Sequence, residues 1–244
     1  MPLPLVISHA ACAGHAPENT LAGIRAALKL KADAIEVDLH ATRDGVPVLL
    51  HDDTVDRTTD GAGFVWRLGY VELRRLRADR AWPDRRFARE RVPSLLDVLD
   101  LVARRALLVL EIKQPGIEPS VVEAVRRAGA GDDTAAWSFH PQALAAMRAI
   151  APEIPCGLLL AEPVQGDWAR TFARAARLGV QTVAVHHEAV TPSLTALAAR
   201  RGLGCFAWTA DRPDDIGRCA AAGALGIVSN HPDRARRTLE ERGG

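Results

Sequence analysis

Short apolar runs rich in β-branched residues alternate along the chain with longer Ala/Leu/Arg segments of helical period, and nothing else restricts the fold as much. That alternation is the signature of βα units wrapped around a parallel sheet. The strand candidates are Leu5–His9, Ala34–Leu39, Val46–His51, Leu107–Lys113, Thr134–Phe139, Cys156–Leu160, Thr182–His186, Cys205–Thr209 and Gly226–Asn230. Helical stretches lie between them at Thr20–Lys31, Pro93–Arg104, Pro119–Ala128, Pro141–Ile150, Trp168–Leu178, Thr191–Arg201 and Asp214–Ala222. Several open on Thr, Ser or Asp or an early Pro and close at Gly, as helix termini prefer. No linker interrupts the pattern, so the 244 residues are expected to form one domain, 1–244. A single α/β barrel commonly needs about 250 residues. An irregular (β/α)8 TIM barrel is the expected fold. It has eight strand positions, so one of the nine candidates should be short, irregular or not a strand.

Composition removes several function classes. Thirty-one Lys plus Arg against 30 Asp plus Glu leave a net charge of +1, without the excess of basic residues usual in nucleic-acid binders. No apolar run approaches the roughly 20 residues that cross a bilayer, and the N-terminus lacks the basic start of a signal peptide. The expectation is a cytoplasmic protein acting on a small molecule, with no nucleic acid and no stable membrane insertion; the sequence is silent on oligomeric state. Cys12, Cys156, Cys205 and Cys219 show no metal-like spacing and read as free packing thiols. Lysine is scarce, occurring only at 29, 31 and 113.

The polar residues that interrupt the strands carry the chemistry. In Ala34–Leu39, Glu36 and Asp38 are two apart and so share one face, and Glu111 and Lys113 repeat the pattern at the end of the fourth run. His9 and His51 end the first and third runs in the same way. If the strands are parallel, their C-terminal ends bring all six groups to the barrel mouth, where barrel active sites are built. Residues 39–44 leave no room for a crossover helix, so the chain should return extended there before reaching His51.

Three carboxylates are hard oxygen ligands suited to one divalent cation, Mg2+ or Ca2+, and Lys113 suits an anionic substrate oxygen. Two imidazoles flanking a phosphodiester can act as base for an incoming hydroxyl or water and as acid for the leaving alkoxide. A buried ion-pair network is the alternative for either charged pair taken alone. Glu18, at the start of the first helix, either braces the metal cluster or complements the helix N-terminus. His140, His186 and His187 also follow strands but have no evident partner.

The runs HAACAGHAPENT at 9–20, IEVDLHATRDGVPVLLHDDTVDRTTDGAG at 35–63, LEIK at 110–113, FAWTADRPDD at 206–215 and ALGIVSNHP at 224–232 resemble the glycerophosphodiester phosphodiesterase family along nearly the whole chain. The resemblance implies a barrel and hydrolysis of glycerophosphodiesters to an alcohol and glycerol 3-phosphate. It implies a divalent metal on Glu36, Asp38 and Glu111, His9 and His51 as the acid/base pair, and Lys113 on phosphate. It also implies Trp208 in the pocket wall, for which core packing is the alternative, and an insertion over the mouth at about residues 53–91. Where that family reads His-Arg-Gly, this chain has His9-Ala10-Ala11, so the arginine expected on phosphate is missing; His15 or an insertion arginine (Arg57, Arg67, Arg85, Arg86, Arg89) is a conceivable substitute. Asn230-His231-Pro232 departs from the family's usual acidic version. The alternatives are a phosphodiesterase for another diester, such as a lysophospholipid or sugar-linked glycerophosphate, and a non-hydrolytic phosphodiester-binding relative.

Overall fold

Each of the nine apolar runs forms a strand in the computed structural model, which describes residues 3–82, 84–161 and 167–243; Pro83, inside the expected insertion, lies outside them. The strands are β1 (Leu5–Ser8), β2 (Ala34–Ala41), β3 (Pro47–Leu49), β4 (Leu107–Ile112), β5 (Thr134–Ser138), β6 (Cys156–Leu160), β7 (Thr182–His186), β8 (Gly204–Trp208) and β9 (Gly226–Ser229). Their order is β1-β9-β8-β7-β6-β5-β4-β2, and β1 also pairs with β2, which closes eight parallel strands into a barrel without edges.

The ninth strand is outside the ring. β3 runs antiparallel to the overshooting end of β2, with Leu39 opposite Leu49, His40 opposite Val48 and Ala41 opposite Pro47. Residues 42–46 make the tight turn, Gly45 adopting φ +79°. A parallel return needs a crossover of a dozen or more residues, which this span lacks. The expectation that His51 ends a parallel strand is therefore corrected. His51 follows the descending arm of a hairpin that stands on the barrel mouth.

Helices α1 (Leu21–Lys29), α2 (Tyr70–Leu73), α3 (Leu95–Val102), α4 (Glu118–Arg127), α5 (Pro141–Ile150), α6 (Trp168–Leu178), α7 (Pro192–Arg200), α8 (Pro213–Ala221) and α9 (Pro232–Gly243) connect or follow the strands. Thr20, Asp167 and Thr191 cap α1, α6 and α7 by accepting a backbone N–H, and Ser94 with Asp97 forms a reciprocal box on α3. The sequence pattern did not predict α2 or α9. The first is a single turn, and α9 is so polar that Pro232, Ala235, Thr238 and Leu239 are its buried contribution among the described residues.

Alternation along the strands fills the barrel in layers. Ile7, Ala34, Val109, Trp137, Leu159, Ala184, Phe206 and Val228 make an apolar plug. Trp137 and Phe206 meet edge to face at 5.4 Å. Their bulk fits because neighbouring strands carry glycine: a Cβ on Gly226 would come within 2.5 Å of Phe206. The next inward position on β2 and β4, and the residue two beyond the plug on β1, is Glu36, Glu111 or His9, so charge sits directly on an apolar floor. The larger core lies outside the barrel, between strands and helices, and holds the four buried cysteines. A third cluster, including Val48, Leu50, Val55, Val65 and Leu73, packs the outer side of β3 against the segment that follows it.

Candidate active site

β2 and β4 are neighbours in register, Glu36 opposite Val109 and Asp38 opposite Glu111, so the carboxylates of Glu36, Asp38 and Glu111 converge. One oxygen of each lies within 4.8 Å of the others, and all three residues are buried. Ala10 N–H donates to Glu36 Oε2 at 2.7 Å and Ala11 N–H to the Glu36 carbonyl at 2.8 Å. Both alanines have left-handed backbones, φ 44° and 69°, which turn the loop after β1 so that successive amides face Glu36. Asn19 grips Asp38 twice, its Nδ2 donating to Oδ2 at 2.7 Å and its Oδ1 accepting from the Asp38 N–H at 3.0 Å.

The remaining oxygens, Glu36 Oε1 and Asp38 Oδ1, are buried and accept no hydrogen bond. Lys113 Nζ stands 2.8 Å from Glu111 Oε1 and 3.4 Å from Asp38 Oδ1. Crowding shifts the acidity of these groups. Burial, then the charges of Asp38 and Glu111, pushes Glu36 well above the usual carboxylate range. Burial and then Asp38 raise Glu111 to about 7. Burial opposes the charge on Lys113, but Asp38 and Glu111 outweigh it and hold its ammonium above the ordinary value. Hard oxygen donors with lone pairs facing one another suit a divalent cation, so this triad can hold a metal ion.

His9 and His51 face the same space. Together with Glu36, Glu111, Lys113, Trp137, Phe139 and Trp208 they line a cavity of about 310 Å3. His51 Nδ1 lies 2.8 Å from Asp52 Oδ1, and Arg57 clamps Asp52 from Nε at 2.6 Å and Nη2 at 3.0 Å. The Arg57 guanidinium holds Asp52 down at about 2 against the opposing effect of burial. Glu18 completes the chain, accepting from both Arg57 terminal nitrogens at 2.8 and 2.7 Å. Glu18 thus supports His51 through two intermediaries, and the residue that braces the carboxylates is its neighbour Asn19. His9 Nδ1 lies 2.8 Å from Asn230 Oδ1.

A buried acidic triad and two histidines thus meet at one barrel mouth. Residues 9–234 match the model of the glycerophosphoryl diester phosphodiesterase family. The chain belongs to this family. It is 34% identical to a glycerophosphodiester phosphodiesterase of Caldanaerobacter subterraneus across 94% of this chain and 95% of that one. A solved Oleispira antarctica phosphodiesterase, in complex with the product sn-glycerol-3-phosphate, superposes with a TM-score of 0.89 at 26% identity, covering 98% of this chain and 97% of that one. A glycerophosphodiester phosphodiesterase from Agrobacterium tumefaciens gives 0.84 at 27% identity, covering 96% and 100%. The protein is accordingly a phosphoric diester hydrolase on a TIM barrel.

In this member of the family, position 10 contributes its backbone: the buried Ala10 donates to Glu36 where the family resemblance leads one to expect a phosphate arginine. Among the described residues, Lys113 is the one Lys or Arg in the cavity lining. Arg57 is spent on Glu18 and Asp52, Arg67 stacks over Phe64 and Trp66, and Arg86 pairs with Asp84. His15 instead pairs with Asp233 at 2.8 Å and stacks edgewise on His231. Those three side chains converge closely enough to ligate a metal, but Arg234 and the positive N-terminus of α9 oppose a cation there.

Trp208 lines the cavity, donating from Nε1 to the Ala184 carbonyl at 3.1 Å and meeting Phe139 at 5.5 Å and His186 at 5.6 Å. His187 turns to Asp215 and Arg218, and His140 begins α5. Among the described residues no helix is long and apolar enough to cross a membrane.

Proposed function

We propose that this chain hydrolyses small glycerophosphodiesters to an alcohol and glycerol 3-phosphate with a divalent cation, Mg2+ or Ca2+, and a pair of histidines. The reading rests chiefly on one arrangement: a buried carboxylate triad, with unpartnered oxygens on Glu36 and Asp38, adjoins a cavity lined by two imidazoles and an ammonium. Glu36, Asp38 and Glu111 would hold the cation, which when bound supplies positive charge to the phosphoryl oxygens as charge builds there.

The chain's own groups do the rest. Lys113 binds a non-bridging phosphoryl oxygen and, in a chain with Ala10, carries the protein's share of phosphate recognition. Of His9 and His51, one takes the proton from the attacking hydroxyl or water and the other returns a proton to the leaving alkoxide, each transfer worth about 10²–10⁴-fold. Both present Nε2 to the substrate, because Nδ1 of each is engaged by Asn230 or Asp52. Trp137, Phe139 and Trp208 shield the reacting centre from water and offer ring faces to the organic parts of the diester.

The test is a panel of glycerophosphodiesters incubated with Mg2+ or Ca2+ and followed by phosphorus NMR. Glycerol 3-phosphate should appear and chelation should stop it. Binding without product over long incubation, or turnover indifferent to chelator, would overturn the reading.

A further inference from the structure

His9 is held through contacts that nothing in its own neighbourhood of the sequence announces. Its Nδ1 meets Asn230 Oδ1 at 2.8 Å across 221 residues, where the ends of β1 and β9 lie side by side. Asn230 is gripped in turn by Asp211, in the loop after β8. Asn230 Nδ2 donates to Asp211 Oδ2 at 2.7 Å, and the Asn230 backbone N–H and Ser229 hydroxyl donate to Asp211 Oδ1, each at 2.8 Å. Arg234 Nη1 ties down the Asp211 carbonyl at 3.0 Å.

We propose that Asn230 is a positioning residue that holds neutral His9 in its Nδ1–H tautomer, and that Asp211 sets which way Asn230 faces. The logic is one of donors and acceptors. An ionised carboxylate accepts hydrogen bonds and donates none, so the amide nitrogen of Asn230 must face Asp211. A flipped amide would set two oxygens against each other at this distance with no proton between them. The amide oxygen is therefore left for His9, and because a carbonyl oxygen only accepts, His9 Nδ1 must carry the proton. The Nε2 lone pair is then free towards the cavity that His9 lines with Glu36 and Lys113. Asn230 itself never reaches the substrate; it acts through the imidazole. This inference rests on the reading of His9 as a proton-transfer group.

Nitrogen-15 NMR of the histidine side chains in the Mg2+-supplied protein reads the tautomer directly. The neutral form of His9 should show a protonated Nδ1 and a bare Nε2. Asp211→Asn removes the obligate acceptor and lets the Asn230 amide sit either way round. It should give a mixed tautomer and lower kcat about 10–100-fold with KM within about twofold, less than the outright loss of a proton-transfer group. Exchanging the two groups, Asp211→Asn with Asn230→Asp, restores an acceptor facing His9 and should recover at least about fivefold of the loss. A predominant Nε2–H tautomer in the unaltered protein, or unchanged kcat in Asp211→Asn, would overturn the proposal. The first result needs no variant, so a misfolded substitution cannot obscure it. An inactive protein with the Nδ1–H tautomer would instead refute the hydrolytic reading alone.

Discussion

Magnesium or calcium should stabilise the fold much more near pH 7 than near pH 5. In the metal-free protein Glu111 rises from 4.5 to about 7, through burial first and Asp38 second, and Glu36 is pushed well above 4.5 by burial, Asp38 and Glu111. Between those pH values the fold holds protons that the unfolded chain has released, so metal-free stability falls as pH rises through that window. A cation requires the carboxylates ionised, and each proton it displaces is worth about 1.4 kcal/mol per pH unit. Glu111 alone then adds about 2 kcal/mol to the metal's stabilising effect between about pH 5 and about pH 7, since it is half ionised at the upper end. At roughly 2–4 °C per kcal/mol for a chain of this size, the metal-induced rise in Tm should be about 4–8 °C larger at the higher pH. Calorimetry with chelator or with millimolar metal at both pH values measures this. Burial lowers His40, His187 and His231, which titrate with the opposite slope, but both samples share that slope and the difference removes it. Glu111→Gln should remove the part that Glu111 contributes and leave that of Glu36. A metal effect of equal size at both pH values would refute the reasoning.

His9→Ala and His51→Ala should each lower kcat by about 10²–10⁴-fold in a glycerol 3-phosphate release assay; near-normal turnover in either would end its acid/base role. Lys113→Ala should lower kcat/KM by roughly 10–100-fold, the worth of a charged hydrogen bond, whereas Arg67→Ala should stay within about twofold. Gly157→Ala should lower stability by about 1–3 kcal/mol on chemical unfolding, because the added Cβ runs into Thr182 Oγ1 and Trp137 Nε1 inside the barrel.

Much of the site was legible because it follows from alternation alone. Once the strands are parallel, period two sends Glu36, Asp38, Glu111 and Lys113 to one face near one end, whatever the loops do. His51 needed the same end by another route, and the shortness of residues 39–44 already signalled an irregular return. What the sequence could not show depends on ring closure. Asn230 meets His9 only because β9 lies beside β1, and Asp211 meets Asn230 only because two successive βα loops fold over one rim. The adjacent residues Glu18 and Asn19 serve different partners: Asn19, with a left-handed backbone at φ 55°, holds Asp38, and Glu18 holds Arg57. The signal for that bend, a small amide side chain just before the Thr20 cap, is too weak to read on its own.

The hairpin of β2 and β3 has a consequence for how such an enzyme diversifies. His9 and the three carboxylates are mounted on the ring itself, whereas His51 rides on an arm whose outer side packs against its own small core of Val48, Val55, Val65 and Leu73. The cap that follows can be lengthened, shortened or exchanged as a cassette, provided that Val48 and Leu50 keep an apolar partner. Arg57 is the exception within that segment: it clamps Asp52 beneath His51, so a library confined to the cassette would have to hold position 57 fixed.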